Sequence, residues 1–382
     1  MAKVKILAYR PTYTKNYGID YAATVIACNM NSDAVDTYVF SIYSELKHYS
    51  HNVKVAFSLN IYKLLSKILS PITIKNLVDR KFLKLMDKYD IAYLWPGCSI
   101  DVFTKLKQKH KKIVIECVNC HQQVAKDILD KESVLLGGVQ THTITNSDIE
   151  EEMVKLQMAD FMFSPSPQVT ASLIKMQVDE SKIIETSYGL DKDDLIAVHS
   201  KAPIDDVNTP FTALFVGSVI PRKGIHLLLD YWKTAGVEGK LKVIGKIEPT
   251  AQAIVSAYQN DPSIEFISFT NDLSSHYQNA DIFIMPSLEE GSPLVTYLAI
   301  GSGLPCLVSP MAGDGVIRHN IDGYIISSHD KGMWVAAIQK LASDESLRLK
   351  FAKASRQRAE DFLWPEVAQR RAAKLLDKLG TD

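Results

Sequence analysis

Along the chain, short runs of Val, Ile, Leu and Phe alternate with longer stretches in which apolar residues return every three or four positions. Eleven runs have strand length: KVKILAY, HNVKVAF, DIAYLWP, KKIVIEC, ADFMFSPS and SKIIETS, then FTALFVGS, KLKVIG, IEFISF, ADIFIMPS and LPCLVSP. Runs that are apolar throughout belong to strands covered on both faces, and the helical stretches between them supply the cover. The pattern predicts an α/β protein of two successive parallel-sheet units, with no internal repeat and no low-complexity tract. Both periods lapse in AVHSKAPIDDVNTP, where Pro, Asp and Asn cluster. A linker is therefore predicted over 197–210, between an N-terminal domain over 1–196 and a C-terminal domain over 211–361. A length of 382 residues suits two domains.

One stretch departs from this rhythm. Over 60–89, NIYKLLSKILSPITIKNLVDRKFLKLMDKY spaces Leu and Ile at helical intervals and interleaves Lys63, Lys67, Lys75, Arg80, Lys81, Lys84 and Lys88. It predicts a basic amphipathic helix pair broken at Pro71. Such a pair either packs its apolar stripe on the N-terminal sheet or rests on an anionic membrane surface.

Composition narrows the partners. The chain is 46% hydrophobic and 23% charged, as globular proteins are, and no apolar run reaches the roughly 20 residues of a membrane span. MAKVKILAY leads directly into a strand and lacks the features of a signal peptide. The expected location is cytoplasmic, with peripheral attachment to the inner face of the membrane left open by 60–89. A net charge of -1 argues against nucleic acid as a partner. Five cysteines, Cys28, Cys98, Cys117, Cys120 and Cys306, are predicted to be thiols. CVNCH over 117–121 is nominally a haem-attachment string, but Cys117 falls in or beside a strand and nothing signals export, so it is rejected. Glu150, Glu151 and Glu152 read as the solvated start of a helix.

Candidate chemistry is concentrated between Asp281 and Pro305, DIFIMPSLEEGSPLVTYLAIGSGLP. A strand ends at Pro286, a loop holds Glu289, Glu290 and Gly291, and a helix is predicted to begin near Pro293, where proline suits the first turn. Free amides at a helix start form an anion site at the carboxyl edge of a parallel sheet. A carboxylate beside it accepts hydrogen bonds from hydroxyls. A ligand with one anionic and one hydroxylated end satisfies both, and a nucleotide sugar is such a ligand.

PSLEEGSPLVTYLAIGSGLPCLVSP resembles the donor motif of the retaining glycosyltransferase family 4: P-S-x-x-E-G-x-P, a second Glu eight residues after the first, then a small residue, Gly and Pro. The likeness continues through AGDGVIRHNIDGYII and covers nearly all of the C-terminal half. It implies a GT-B fold, two Rossmann-like domains facing a central cleft, with a helix over 362–382 crossing back to the N-terminal domain and Trp364 as a packing residue. It also implies that Glu290 contacts the donor sugar, and that the segment Gly291, Ser292, Pro293, Leu294 and Val295 holds the diphosphate through its amides. The second Glu, which holds the ribose in the family, falls on Leu298, whose side chain cannot make that contact.

Phe215 to Gly224, FVGSVIPRKG, is similar to the family loop G-R-x-x-x-x-K-G, which places Gly217 and Ser218 at the donor. Lys223 matches the family Lys. The family Arg falls on Ser218, which makes Arg222 the candidate for the missing charge. Fixed cations and helix dipoles stabilise a leaving diphosphate without a metal, so neither metal nor cofactor is expected. The resemblance places the base against Gly245 and the loop carrying Phe269 and Thr270, with uracil, guanine and adenine all open. In the N-terminal half, only Gly18 stands where the family has a glycine-rich phosphate loop, with Arg10 and Lys15 nearby to compensate. His121 ends a strand-and-loop pair resembling the one that carries a sugar-contacting His; the alternative is a polar core histidine.

These expectations converge on a metal-independent, retaining transferase. It would move a sugar from a nucleotide diphosphate sugar to a glycan or glycolipid hydroxyl, with Glu290 orienting the sugar, Lys223 and Arg222 stabilising the leaving group and His121 lining the cleft. The competing expectation, favoured by Leu298, Ser218 and the single Gly18, is a non-catalytic GT-B carbohydrate-binding or partner subunit with a degraded donor site.

Overall fold

A computed structural model describes residues 3–15, 17–46, 49, 51–196, 210–268 and 270–380. The expected linker thus lies, Pro210 apart, outside the described residues, as does Phe269. Two wholly parallel sheets organise the chain. The first contains β1 (Val4–Tyr9), β2 (Val35–Ser41), β3 (Val53–Val55), β4 (Ile91–Leu94), β5 (Lys112–Glu116), β6 (Phe161–Ser164) and β7 (Ile183–Glu185), in the order β3-β2-β1-β4-β5-β6-β7. The second contains β8 (Phe211–Val216), β9 (Gly239–Ile244), β10 (Ile264–Ile267), β11 (Ile282–Met285), β12 (Cys306–Val308) and β13 (Gly323–Ile325), in the order β10-β9-β8-β11-β12-β13.

All eleven predicted strands form, joined by β2 and β13. Every residue of β4, β8, β11 and β12 is buried, because helices cover both faces. Each sheet reverses its strand order once, between β1 and β4 and between β8 and β11. Loops leaving the carboxyl ends of neighbouring strands diverge there and open a crevice.

The last helix, Trp364–Leu379, packs against helix Gly18–Asn29 of the N-terminal half. Trp364 is buried in this packing. From the same helix, Arg371 donates to both oxygens of buried Glu116 at 2.8 and 3.1 Å and to the Ser187 carbonyl at 2.8 Å.

The basic stretch forms two helices, Leu59–Ile68 and Pro71–Leu85, with Pro71 in the first turn of the second. They behave differently. The second buries Ile74, Val78, Phe82 and Leu83 in the core of the N-terminal half, whereas the first buries no residue. Leu59, Ile61, Leu64, Ile68 and the neighbouring Ile72 are between 42% and 73% exposed. Among the described residues, no helix is long and apolar enough to cross a membrane.

Candidate functional site

Two turns of the second sheet build the centre of the site. β11 delivers its chain into the Pro286–Pro293 loop, and β8 delivers Gly217 into the turn that carries Arg222 and Lys223. Gly224 closes that turn at φ +69, and a Cβ there would stand 2.1 Å from the Pro286 carbonyl oxygen. Only glycine lets the two turns approach so closely. The consequence is a compact charge cluster. Lys223 donates its ammonium to Oε1 of Glu290, and Arg222 Nη1 lies 3.3 Å from the same oxygen. The same guanidinium nitrogen reaches Oε2 of Glu289 at 3.1 Å and the Glu289 carbonyl at 2.9 Å.

Glu289 and Glu290 are only 2% and 6% exposed, and their environments separate them. Burial pushes Glu290 up, but the charges of Lys223 and Arg222 outweigh it and hold the carboxyl below its usual range. For Glu289, burial prevails over Arg222, the neighbouring Glu290 adds to it, and the carboxyl is pushed up. Among the described residues, Oε1 of Glu289 has no hydrogen-bond partner. Glu289 is thus a candidate that the sequence reading left without a role, although the Glu-Glu doublet was visible.

The N-terminal half supplies the opposite wall through the Cys117–His121 loop. A Cβ on Gly291 would lie 1.7 Å from the Val118 carbonyl oxygen, so the two backbones meet where no side chain fits. Ser166 Oγ donates to the Gly291 carbonyl at 2.5 Å, and Cys120 Sγ lies 3.5 Å from the Glu290 carbonyl. Farther along, the Tyr297 hydroxyl accepts from the Tyr188 amide at 3.1 Å and lies 2.7 Å from Ser292 Oγ. A separate contact joins the halves where Glu132, buried, meets His226 Nε2 at 2.5 Å and His329 Nε2 at 3.0 Å.

His121 requires a correction. It is 0% exposed and caps helix Gln122–Leu135, accepting from the Gln123 amide through Nδ1 at 3.1 Å, while Nε2 lies 3.1 Å from Met153 Sδ. Burial pushes its pKa down. It is the polar core histidine, and it does not line an open cleft. The Glu run also differs from expectation: Glu150 and Glu151 are exposed, but Glu152 turns inward and accepts from the Gln122 amide at 2.7 Å. The helix after Glu290 starts at Leu294, with Pro293 extended at the capping position and outside the first turn.

The remaining candidates are placed as follows. Gly217 lies along the Lys223 side chain, and Gly245, at the end of β9, lies against the Gly217 carbonyl. Ser218 is exposed beside them. Val295 is half-buried in the first turn of its helix, and Leu298 is half-buried one turn later, packed against the core. Thr270 lies beyond β10 and accepts from the Asp272 amide at 3.0 Å. Gly18 opens helix Gly18–Asn29, after the loop that leaves β1. Arg10 is engaged by Asp20 at 2.8 Å and the Pro96 carbonyl at 2.9 Å, and Lys15 sits over the rings of Tyr13 and Tyr17. The structure therefore gathers Glu290, Lys223, Arg222, Gly217 and Gly291 into one cluster. Thr270 sits on another loop, and Gly18 at the start of helix Gly18–Asn29.

Residues 200–358 match the family model described as glycosyl transferases group 1. An uncharacterized glycosyltransferase of Haemophilus influenzae is 30% identical over 159 residues, 40% of this chain and 45% of that protein. The capsular polysaccharide biosynthesis glycosyltransferase CapM of Staphylococcus aureus is 27% identical over 239 residues, 59% of this chain and 57% of that one. The chain spans about half the length of these relatives. Among solved structures, Anabaena HepE in complex with UDP and glucose superposes with a TM-score of 0.68 at 15% identity, over 98% of this chain and 99% of that one. The two parallel-sheet halves are those of the GT-B fold, and the match to the glycosyl transferases group 1 model falls in the second half.

Proposed function

We propose that the protein is a retaining glycosyltransferase that moves a sugar from a nucleotide diphosphate sugar to a hydroxyl of a glycan or glycolipid without a metal. The observation that carries this reading is the cluster of half-buried Lys223 and Arg222 on buried Glu290, at the strand-order reversal of the second sheet. Fixed cations there stabilise a departing diphosphate as its charge develops, and cost no reorganisation when it leaves. Glu290, kept ionised by the same cations, accepts hydrogen bonds from sugar hydroxyls. In the transfer the acceptor oxygen bonds to the anomeric carbon as the carbon–diphosphate bond breaks on the same face. The acceptor proton passes to the departing diphosphate. The UDP and glucose bound to HepE and the name of CapM support this reading.

Leu298 stands where the ribose contact is expected, and a missing hydrogen bond to a carboxylate weakens binding by about 1.5–3 kcal/mol. This residue favours the second reading, a GT-B carbohydrate-binding subunit without turnover. A thermal-shift series with UDP, GDP, ADP and their sugars separates the two. The transferase reading expects one nucleotide series to raise the melting temperature in a saturable way; no shift at millimolar concentration from any of them contradicts it.

The exposed stripe of Leu59, Ile61, Leu64, Ile68 and Ile72, flanked by Lys63, Lys67 and Lys75, supports peripheral binding to an anionic membrane surface. That placement would bring a glycolipid acceptor to the cleft.

A further inference from the structure

A cavity of about 360 Å³ opens in the N-terminal half, at the carboxyl ends of β4 and β5. Its walls are the loop from Trp95 to Cys98, the loop from Cys117 to Gln122, and helix Asn146–Met158. Val118 and Cys120, which line it, also touch Gly291 and Glu290, so the cavity adjoins the charge cluster across one loop. None of the donor chemistry described above uses it.

The lining chemistry selects among ligands. Lys155 is the cavity's cation and is held by Glu151 at 2.5 Å; Asp148 is taken up by the Thr145 cap of its helix, and among the basic groups of the described residues Glu152 touches only His121 Nδ1, at 3.5 Å. A phosphate is disfavoured here. Glu152 receives the Gln122 amide on Oε2, while no hydrogen bond among the described residues reaches Oε1. Trp95 is 2% exposed in the cavity wall, and its indole N–H has no partner among the described residues. Phe103, also 2% exposed, backs the same wall. A carboxylate acceptor and an indole donor in a cavity of this size suit a polyhydroxylated ring, whose hydroxyls both donate and accept.

We propose that this cavity seats the terminal sugar ring of the acceptor, with Glu152 accepting a hydrogen bond from one of its hydroxyls. The proposal rests on the transferase reading and gives its acceptor a place and a class: an uncharged or amino sugar, not a sugar phosphate. Burial pushes the Glu152 carboxyl up to about 7, against the Gln122 amide and Lys155, so a hydroxyl or ammonium donor supplies what this carboxylate lacks.

The test uses the full-length chain and a panel of methyl glycosides of glucose, galactose, glucosamine and N-acetylglucosamine, observed by saturation-transfer NMR at pH 8. At least one glycoside is expected to bind the wild-type protein, with its Kd weakened tenfold or more by Glu152→Gln. Glutamine still accepts from the Gln122 amide, and far-UV circular dichroism with a melting curve verifies the fold of the variant. The melting shift caused by nucleoside diphosphates is expected to be the same in both proteins. Absence of glycoside binding to the wild type, equal affinity in the variant, or displacement of the glycoside by a nucleoside diphosphate would overturn the proposal. Failure of the nucleotide arm alone would instead count against the transferase reading.

Discussion

Lys223, in the turn after β8, donates its ammonium to Oε1 of Glu290, in the loop after β11. The pair joins the group expected to hold the leaving diphosphate to the group expected to hold the sugar. Loss of either therefore has two consequences. Lys223→Ala is expected to lower nucleotide-sugar turnover at least a hundredfold, the scale on which a lost stabiliser of developing charge acts. It also leaves Glu290 buried with Arg222 alone at 3.3 Å, so stability falls by less than the about 3–5 kcal/mol that a wholly orphaned buried charge costs. The sign of the pH dependence follows from the depressed carboxyl of Glu290. Its stabilisation is present above the unfolded carboxyl range and is lost as pH falls through the lower folded value. Melting curves of wild type and Glu290→Gln between pH 3 and 7 should converge toward the acid end. A constant gap would contradict the assignment.

Glu152 behaves in the opposite sense. Its carboxyl is raised to about 7 by burial, so the folded state holds the proton more tightly than the unfolded state. The stabilisation is full below the unfolded value and disappears as pH rises through 7. Glu152→Gln is therefore expected to melt a few degrees above wild type at pH 8.5, with a smaller gap at pH 5. A gap that is larger at pH 5 would contradict the burial argument.

Arg371 and Glu116 are both wholly buried and joined by two parallel hydrogen bonds. Arg371→Met leaves Glu116 uncompensated and is expected to cost about 3–5 kcal/mol in urea unfolding. The double variant Arg371→Met with Glu116→Leu should recover most of this loss, because the penalty lies in the orphaned charge and not in the absence of the pair.

The two halves of the basic stretch make separable predictions. Leu64→Ser with Ile68→Ser removes exposed apolar surface and is expected to change stability by less than about 0.5 kcal/mol. The same change should abolish co-sedimentation with liposomes containing anionic lipid. Binding should also fall with salt, since each surface Lys contributes on the order of 1 kcal/mol through screened attraction. Sedimentation independent of anionic lipid, or unaffected by the substitutions, would remove the membrane from the account.

Strands buried on both faces were legible because apolar residues dominate them, as in FTALFV of β8 and IFIM of β11. β2 escaped because VDTYVFS mixes polar with apolar residues at Asp36 and Thr37, and β13 because three residues at a sheet edge leave little pattern. The cluster of Glu290, Lys223 and Arg222 was legible as residue types at a strand end. Its wiring was not, since the contact depends on how closely Gly224 lets two turns approach. His121 and Glu152 lie beyond what one sequence conveys. A histidine after a strand looks the same whether it caps a helix or faces a cleft, and a Glu run shows its inward member only when the helix is packed. The amphipathic stretch carried two readings because its helices differ: the second packs into the core of the N-terminal half, and the first leaves its apolar stripe exposed.

The central claim is tested most directly by following nucleoside diphosphate release from UDP-, GDP- and ADP-sugars in the presence of a bacterial glycolipid fraction, for wild type and Glu290→Ala. The account expects release from one donor class, dependent on the glycolipid, with at least a hundredfold loss in the variant and an unchanged fold by circular dichroism. No release from any donor, or undiminished release by Glu290→Ala, would contradict it.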